Sequence, residues 1–414
     1  MEGGEKGTIN EVTLTKQSIN RSRRNFLKYG IKGIAGAVLL PKVVKQRLSP
    51  EKDLKKNTII HRNLGRTGKK LSIVGLGGPE QPELITTGLK KGINHINTSP
   101  EYRRGNQEIM IGTTLKGIPR DSYIIATGFS MWRRPKDQIK HYTKEMIINS
   151  FEASLKRLDL DYVDIYYLLG VAKREAVLHA PFLEVMESLK KSGKARFIGV
   201  TVHQNEPEVL YAVVDSKIYD VVLTSYNFRK IYVDDIKQAI STAAKAGVGI
   251  IAMKTQAGVY WDQKCKDMIN MKAALKWVLQ DENVHAAVPE FSSLNELNEG
   301  FSVMQDLRLT PKEKKELRLD SDSFYPGLYC QNCEKCLPQC KGNFDIPTLM
   351  RSYMYAHGYK NPAKAKEAIE HLEFNQVACP DCEQCLVQCT MGFNIREKVL
   401  HILRIKSIPN EFFV

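Results

Sequence analysis

Between residues 59 and 305 the chain alternates short apolar runs with amphipathic stretches of helical length, and this alternation limits the possible folds more than any other feature. Eight apolar runs stand out: Ile73–Gly77, Ile93–Asn97, Tyr123–Thr127, Tyr162–Leu168, Ala195–Val200, Val221–Ser225, Gly249–Met253 and Val284–Val288. Segments such as Lys144–Arg157, Phe182–Ser192 and Asp234–Ala246 lie between them and carry helical spacing. Repeated strand-then-helix units predict a parallel sheet covered by helices, and eight of them predict a (β/α)8 TIM barrel. A polar hairpin, Ile59 to Ser72 with its turn near Gly65–Gly68, precedes the first unit. A doubly wound sheet is the alternative. Against it, Gly75-x-Gly77-Gly78 is too short for a dinucleotide fingerprint and lacks an acidic residue at the right distance.

Eight of the nine cysteines fall in two runs, Cys330, Cys333, Cys336, Cys340 and Cys379, Cys382, Cys385, Cys389. Each member of the second run is its partner plus 49, and the neighbours repeat too: Glu334/Glu383, Leu337/Leu386, Gln339/Gln388, Phe344/Phe393 and Ile346/Ile395. This is an internal duplication of one C-x2-C-x2-C-x3-C unit. Three thiolates at that spacing wrap three corners of an iron–sulfur cubane, and the fourth reaches the other cluster when two such runs occur. Two rivals stay open. Four disulfides suit an even cysteine count, although nested C-x2-C pairs would close cramped loops. Two tetrahedral zinc sites are the other, although zinc ligands usually come as two pairs split by a longer loop. Two 4Fe-4S clusters are the favoured reading, with all eight cysteines as cofactor and metal ligands. Helical texture between the runs predicts helices over Ile346–Tyr355 and Pro362–Phe374, with a third after Ile395. Cys265 stands alone in a helical pattern and is expected to be a packed core thiol.

A hydrophobic share of 43% and a charged share of 26% are those of an ordinary soluble chain, which excludes a disordered or fibrous one. No run reaches the ~18 apolar residues of a membrane-spanning helix. The net charge of +15 could suggest nucleic acid, but residues 1–60 alone carry 13 Lys/Arg against 5 Asp/Glu. No basic stripe interleaved with aromatics occurs elsewhere, so no nucleic-acid partner is expected. The excess has its own explanation in Ser22-Arg23-Arg24-Asn25-Phe26-Leu27-Lys28 followed by a weakly apolar run from Tyr29 to Pro41. That pattern is a twin-arginine export address, which predicts handling by the twin-arginine machinery and a periplasmic or otherwise exported protein. This route carries proteins already folded around a cofactor. No clear small-x-small cleavage site follows Leu40, which leaves open that an uncleaved leader anchors the protein in the membrane.

The wording of the barrel segment narrows it further. Arg62-Asn63-Leu64-Gly65-Arg66-Thr67-Gly68, Leu76-Gly77-Gly78, and Gly92-Ile93-Asn94-His95-Ile96-Asn97-Thr98-Ser99-Pro100-Glu101-Tyr102 resemble the aldo-keto reductases. So do Arg157-Leu158 before Tyr162-Val163-Asp164, Gly193-Lys194 through Ile198-Gly199-Val200, Ser225-Tyr226-Asn227 and Met253-Lys254-Thr255. The resemblance covers 59–305 and implies that the hairpin plugs the barrel floor. The tail resembles the α-helical ferredoxin module of respiratory and dehydrogenase iron–sulfur subunits. That likeness implies one cluster on Cys330, Cys333, Cys336 and Cys389, and the other on Cys379, Cys382, Cys385 and Cys340. A Pro usually follows the fourth cysteine there; here Lys341 and Thr390 do. The leader, barrel and tail together resemble an exported iron–sulfur branch of the family.

The aldo-keto reductase likeness also implies a catalytic tetrad and NADP(H). Of the tetrad only the tyrosine persists, as Tyr102; Asn97 replaces the Asp, Gly128 the Lys and Leu169 the His. Losing Asp and Lys together avoids stranding one buried charge, which would cost ~3–5 kcal/mol. Without that Lys, Tyr102 is expected to titrate near its ordinary ~10 and to donate protons poorly. The nicotinamide cradle is altered as well. Thr201-Val202 replace the Ser-Asn pair, Leu223 the Gln and Met253 the stacking aromatic, while Glu290, Phe291 and Glu296 stand where the 2′-phosphate is held. Two carboxylates there repel a phosphate, which argues against NADPH bound in the family's manner.

Polar residues nevertheless remain just past the strand ends, where barrel sites form: Glu101, Tyr102, Arg103, Arg104, Arg133, Arg134, His203, Asn227, Lys254 and Gln256. Tyr102, His203 and Lys254 are the catalytic candidates, whereas His95, inside a strand, is expected to be a satisfied core histidine. The expected division is a signal segment at 1–45, a linker at 46–58, the barrel at 59–310, a linker helix at 311–324 whose Lys312–Lys315 run is solvated, and a small, mostly helical 4Fe-4S ferredoxin-like domain at 325–414. Two functions are open. In one, an exported redox enzyme passes electrons between the clusters and a small-molecule substrate at the barrel mouth, with a redox protein or quinone-linked donor as partner. In the other, a catalytically retired barrel serves as an electron-transfer or docking subunit of another periplasmic enzyme.

Overall fold

The structure, a computed structural model, describes residues 59–131, 139–321, 327–370, 372 and 385–412. The twin-arginine segment and its linker, Arg133, Arg134, Cys379, Cys382 and the end of the Pro362–Phe374 helix lie outside the described residues. Residues Lys56–Val414 form one compact unit.

The hairpin forms as β1 (His61–Asn63) and β2 (Lys70–Ser72), paired antiparallel with His61 opposite Ser72. Its turn pushes Leu64 into the barrel, where Leu64 and Leu71 are fully buried among inward-facing strand residues such as Ile165, Tyr167 and Ile251. Gly65 at φ 47° allows the approach: a Cβ there would lie 2.4 Å from the Gly247 carbonyl oxygen. The floor is thus plugged as the resemblance implied.

Eight parallel strands follow: β3 (Leu76–Gly77), β4 (His95–Asn97), β5 (Ile124–Ser130), β6 (Val163–Val171), β7 (Ala195–Val202), β8 (Val221–Ser225), β9 (Gly249–Met253) and β10 (Ala286–Ala287). They lie side by side in chain order, with no switch point of the kind a doubly wound sheet requires. The two ends of the sheet also meet. A parallel bridge joins Val74 to Ala287, Ala287 N donates to Ile73 O at 2.8 Å, and Gly77 N donates to Pro289 O at 3.0 Å. The sheet therefore curls onto itself, with one apolar layer inside and another between strands and helices. Helices arise where the periodicity places them, at Lys144–Leu158, Ala180–Lys191 and Val233–Lys245. The first begins at Thr143, whose hydroxyl accepts from Met146 N. The charge run Lys312–Lys315 sits in a short helix, Pro311–Glu316, fixed by a capping box between Thr310 and Glu313.

Beyond the barrel the described residues form three α-helices, Ile346–His357, Pro362–Ile369 and Ile395–Ser407, capped by Asp345, Asn361 and Asn394. They share an apolar cluster of Phe344, Ile346, Leu349, Phe393, Ile395 and Val399, in which Phe344/Phe393 and Ile346/Ile395 are pairs 49 residues apart. The duplication persists at the contact itself. Gln388 N donates to Gln339 Oε1 at 2.8 Å, and Gln339 Nε2 donates back to Gln388 O at 3.4 Å. Equivalent residues of the two repeats thus face each other.

Two expectations need correction. Cys265 lies in a turn at φ 55°, not in a helix, and is half-buried, with its Sγ 3.6 Å from His357 O. His95 is a core residue, but it is not satisfied: both ring nitrogens are buried without a hydrogen-bond partner among the described residues. Burial with nothing to solvate the imidazolium drives its pKa down to about 4. An unfolded chain takes up this proton near pH 6.5, before the folded one does, so stability is full above pH 6.5 and falls as pH drops toward 4, by up to about 3 kcal/mol. Urea unfolding at pH 7 and pH 4.5 should show this loss, and His95→Leu should remove most of the difference.

Candidate active site at the barrel mouth

A cavity of about 190 Å³ opens at the carboxyl ends of the strands. Its barrel wall includes Asn97, Tyr102, His203, Lys254 and Thr255, and its roof is the tail, through Arg351, Tyr355, Tyr359, Lys364 and Glu367. The three sequence candidates Tyr102, His203 and Lys254 therefore come together, with Glu101 and Gln256 on the same cavity. Asn227 does not line it. That residue is buried as a brace, its Nδ2 donating to Lys254 O and to Tyr329 OH, both at 3.1 Å. Arg103 and Arg104 face a neighbouring cleft instead, in left-handed conformations, and Arg104 pairs with Glu370.

Tyr102 follows β4 and its ring lies against Gly78, where an added Cβ would come within 3.1 Å of it. Gln107 props this loop, accepting from Thr98 Oγ1 at 2.7 Å and donating to Gly78 O at 3.2 Å. Burial lifts the Tyr102 phenol above its ordinary value, and the Lys364 and Lys254 ammonium groups offset only part of that rise. The expectation of near-ordinary titration is thus corrected upward. Nor can the family's lysine be restored at Gly128, since a Cβ there would lie 2.4 Å from Tyr167 O and 2.9 Å from Leu169 Cγ.

The replacement cations come from elsewhere. Lys254 leaves β9 at φ 57° and donates from Nζ to Tyr355 OH at 2.8 Å. Lys364 forms an ion pair with Glu290 and lies over two rings, 5.3 Å from the centroid of Tyr102 and 5.4 Å from that of Tyr355. Burial opposes both ammonium groups, yet surrounding carboxylate and phenol oxygens hold both pKa values above the ordinary value. Burial also pushes the Glu367 carboxyl up to about 7. Two polar atoms on the cavity wall, Asn97 Oδ1 and Thr255 Oγ1, are buried without a partner among the described residues. A small polar molecule could satisfy them.

Glu290 and Glu296 have internal uses rather than a shared one. Glu290 is taken up by Lys364, and Glu296 Oε2 accepts from Ser292 N at 2.7 Å at the start of helix Leu294–Val303. Sequence reasoning missed the whole roof. Arg351 and Tyr355, and likewise Lys364 and Glu367, stand about one helical turn apart, but that periodicity alone could not say what the turn would cover.

The first cysteine run is tied to the same mouth. Tyr329 OH is 3.2 Å from Ser225 Oγ, Gln331 Nε2 donates to Arg229 O at 2.8 Å, and Gln204 Nε2 donates to Glu334 Oε1 at 2.8 Å. A smaller cavity, about 40 Å³, is shared by His203, Lys254, Tyr329 and Cys330. Cys330 is pushed up to about 12 and Cys336 to about 11, chiefly by burial, and each feels Cys333 and Cys389 as neighbouring charges. Backbone amides of Asn332 and Met391 donate to the sulfurs of Cys330 and Cys389, both at 3.4 Å. Among the described residues no three such side chains are drawn to metal-binding distance; Cys379 and Cys382 lie outside them. The sulfurs of Cys330, Cys333, Cys336 and Cys389 thus lie near enough to feel one another's charge without being gathered into a metal-binding group.

Removing the Lys364 charge strands Glu290 in a part-buried site. Lys364→Met should lower stability by about 1–3 kcal/mol in urea unfolding, and Lys364→Met/Glu290→Gln should recover most of it.

Comparisons agree with this geometry. Residues 78–272 match the aldo/keto reductase family. L-galactose dehydrogenase of Arabidopsis thaliana is 26% identical over 300 residues, 62% of this chain and 91% of the relative. The NADH-specific methylglyoxal reductase of Escherichia coli (strain K12) is 32% identical over 170 residues, 33% of this chain and half of the relative. A solved aldo-keto reductase from Klebsiella pneumoniae, in complex with NADPH, superposes with a TM-score of 0.51 at 21% identity, over 65% of this chain and 96% of that one, a likeness of fold alone. Over residues 78–272 the chain is thus similar to the aldo/keto reductase family, and its likeness to that family and to these relatives marks it as an oxidoreductase.

Proposed function

We propose that the protein is an exported iron–sulfur oxidoreductase, in which a small carbonyl or hydroxyl compound reacts at the barrel mouth and electrons pass through two 4Fe-4S clusters on the tail cysteines. The organisation is a leader at 1–45, a linker at 46–58, the barrel at 59–310, a linker helix at 311–324 and the ferredoxin-like dicluster domain at 325–414. One observation carries the reading: the cysteine-bearing tail roofs the substrate cavity, with Cys330 on a small cavity that Lys254 and His203 also line. The 49-residue duplication and the facing Gln339–Gln388 pair support two equivalent sites.

Clusters of this type supply or accept single electrons. The chain's own residues do the rest. Cys330, Cys333, Cys336 and Cys389 would hold one cluster; Cys379, Cys382, Cys385 and Cys340 would hold the other. Lys254, Lys364 and Arg351 place positive charge around the cavity, where it favours a bound oxygen anion. Asn97 and Thr255 offer polar atoms to orient the substrate. The electron partner is a redox protein or a quinone-linked donor outside the cytoplasm, delivered or met after twin-arginine export.

NADP(H) is the second reading, favoured by the Klebsiella pneumoniae neighbour, which holds NADPH on this fold. Against the family's binding mode, Lys364 already engages Glu290 on the cavity wall.

Full-length protein matured without oxygen should contain about eight iron and eight acid-labile sulfide per chain and give an EPR signal on reduction. Cys330→Ala should lose about half of the iron. A colourless sample, or one rich in zinc alone, would sink the cluster reading. Turnover of methylglyoxal or L-galactose should depend on a viologen electron carrier rather than on NADP(H). Turnover with NADP(H) alone favours the second reading, and filled clusters with no turnover favour an electron-transfer or docking subunit. Arg23→Lys/Arg24→Lys should leave the protein in the cytoplasm on cell fractionation.

A further inference from the structure

We propose that Tyr355, on tail helix Ile346–His357, is the acid–base group of the barrel mouth, with Lys254 as its fixed positioning partner. The inference rests on reading the mouth as a substrate site, whatever supplies the electrons.

The family's proton donor would be Tyr102, but no lysine reaches it from β5, and the backbone at Gly128 leaves no room for one. A lysine–tyrosine pair nonetheless exists in the same cavity. Lys254, at the end of β9, points its Nζ to within 2.8 Å of Tyr355 OH, and both residues line the cavity with Tyr102. The pair spans two parts of the chain: the barrel supplies the cation and the tail the phenol.

The charged groups around Tyr355 reinforce the pairing. Lys254 faces it from the barrel, Lys364 from helix Pro362–Ile369, and Arg351 from one turn earlier on its own helix. The phenols of Tyr102 and Tyr359 and the carboxylate of Glu290 are the neighbouring groups that oppose ionisation, and Glu290 is taken up by Lys364. Glu367 and His203 line the same cavity. Burial alone would raise the Tyr355 phenol, but the three cations bring it below its ordinary value, whereas Tyr102 rises. In the proton step the O–H bond of Tyr355 breaks, its proton passes to a substrate oxygen, and the phenolate is left beside the Lys254 ammonium. The reverse step re-forms the O–H bond. No electron moves in it.

Phenolate absorbance of the full-length protein, followed against pH, tests the assignment. One of the 17 tyrosines should ionise ahead of the rest. Tyr355→Phe should lose that early phase, Tyr102→Phe should keep it, and Lys254→Met should move it to higher pH. In methylglyoxal turnover Tyr355→Phe should lower kcat ~100-fold or more. An early phase that survives Tyr355→Phe, vanishes in Tyr102→Phe or stays unmoved in Lys254→Met overturns the proposal; so does unimpaired turnover in Tyr355→Phe. Lys254→Met decides the matter if Tyr355→Phe does not fold. An iron-free protein that keeps the early phase would overturn the cluster reading while leaving this one standing.

Discussion

Two ammonium groups packed into the barrel mouth, Lys254 from a strand end and Lys364 from the tail, are the constraint around which this molecule is organised. Neither could stay charged there alone, because burying an ammonium costs several kcal/mol. Glu290 answers Lys364, the Tyr355 hydroxyl accepts from Lys254, and the rings of Tyr102 and Tyr355 lie near Lys364. Barrel and tail therefore complete each other's electrostatics, and the cavity between them belongs to both.

This arrangement gives the altered tetrad a physical sense. Asn97, Gly128 and Leu169 leave Tyr102 without the ion pair that would tune it, and burial then makes it a weaker acid than a free tyrosine. The positive charge has moved around the rim, to the end of β9 and to the helices above. Glu290, which would repel a 2′-phosphate, is instead one half of the joint that seats the roof.

The barrel was legible because its signal is local and repeated. Each strand is a short apolar run between turn residues, and each helix carries its own apolar stripe, so strand order followed from chain order. The mouth was legible in part. Tyr102, His203 and Lys254 could be placed because residues just past strand ends converge in any such barrel. Tyr355, Lys364 and Glu367 could not, because their helices look like ordinary amphipathic segments and nothing local says which surface they meet. His95 shows the same gap on a smaller scale. Its strand position marked it as core, but only the packing around it shows that neither ring nitrogen finds a partner.

The sequence by itself determined the parallel barrel with its plugged floor, the helical tail and the duplicated cysteine spacing, since periodicity and spacing are properties of neighbouring residues. Only the tertiary structure decided that the tail closes over the barrel mouth, that Lys254 meets Tyr355 rather than Tyr102, and that Glu290 is neutralised from within the chain. Those pairings join residues 74 to 101 positions apart, and contacts at that separation are fixed by how whole elements pack, a quantity that no local pattern encodes.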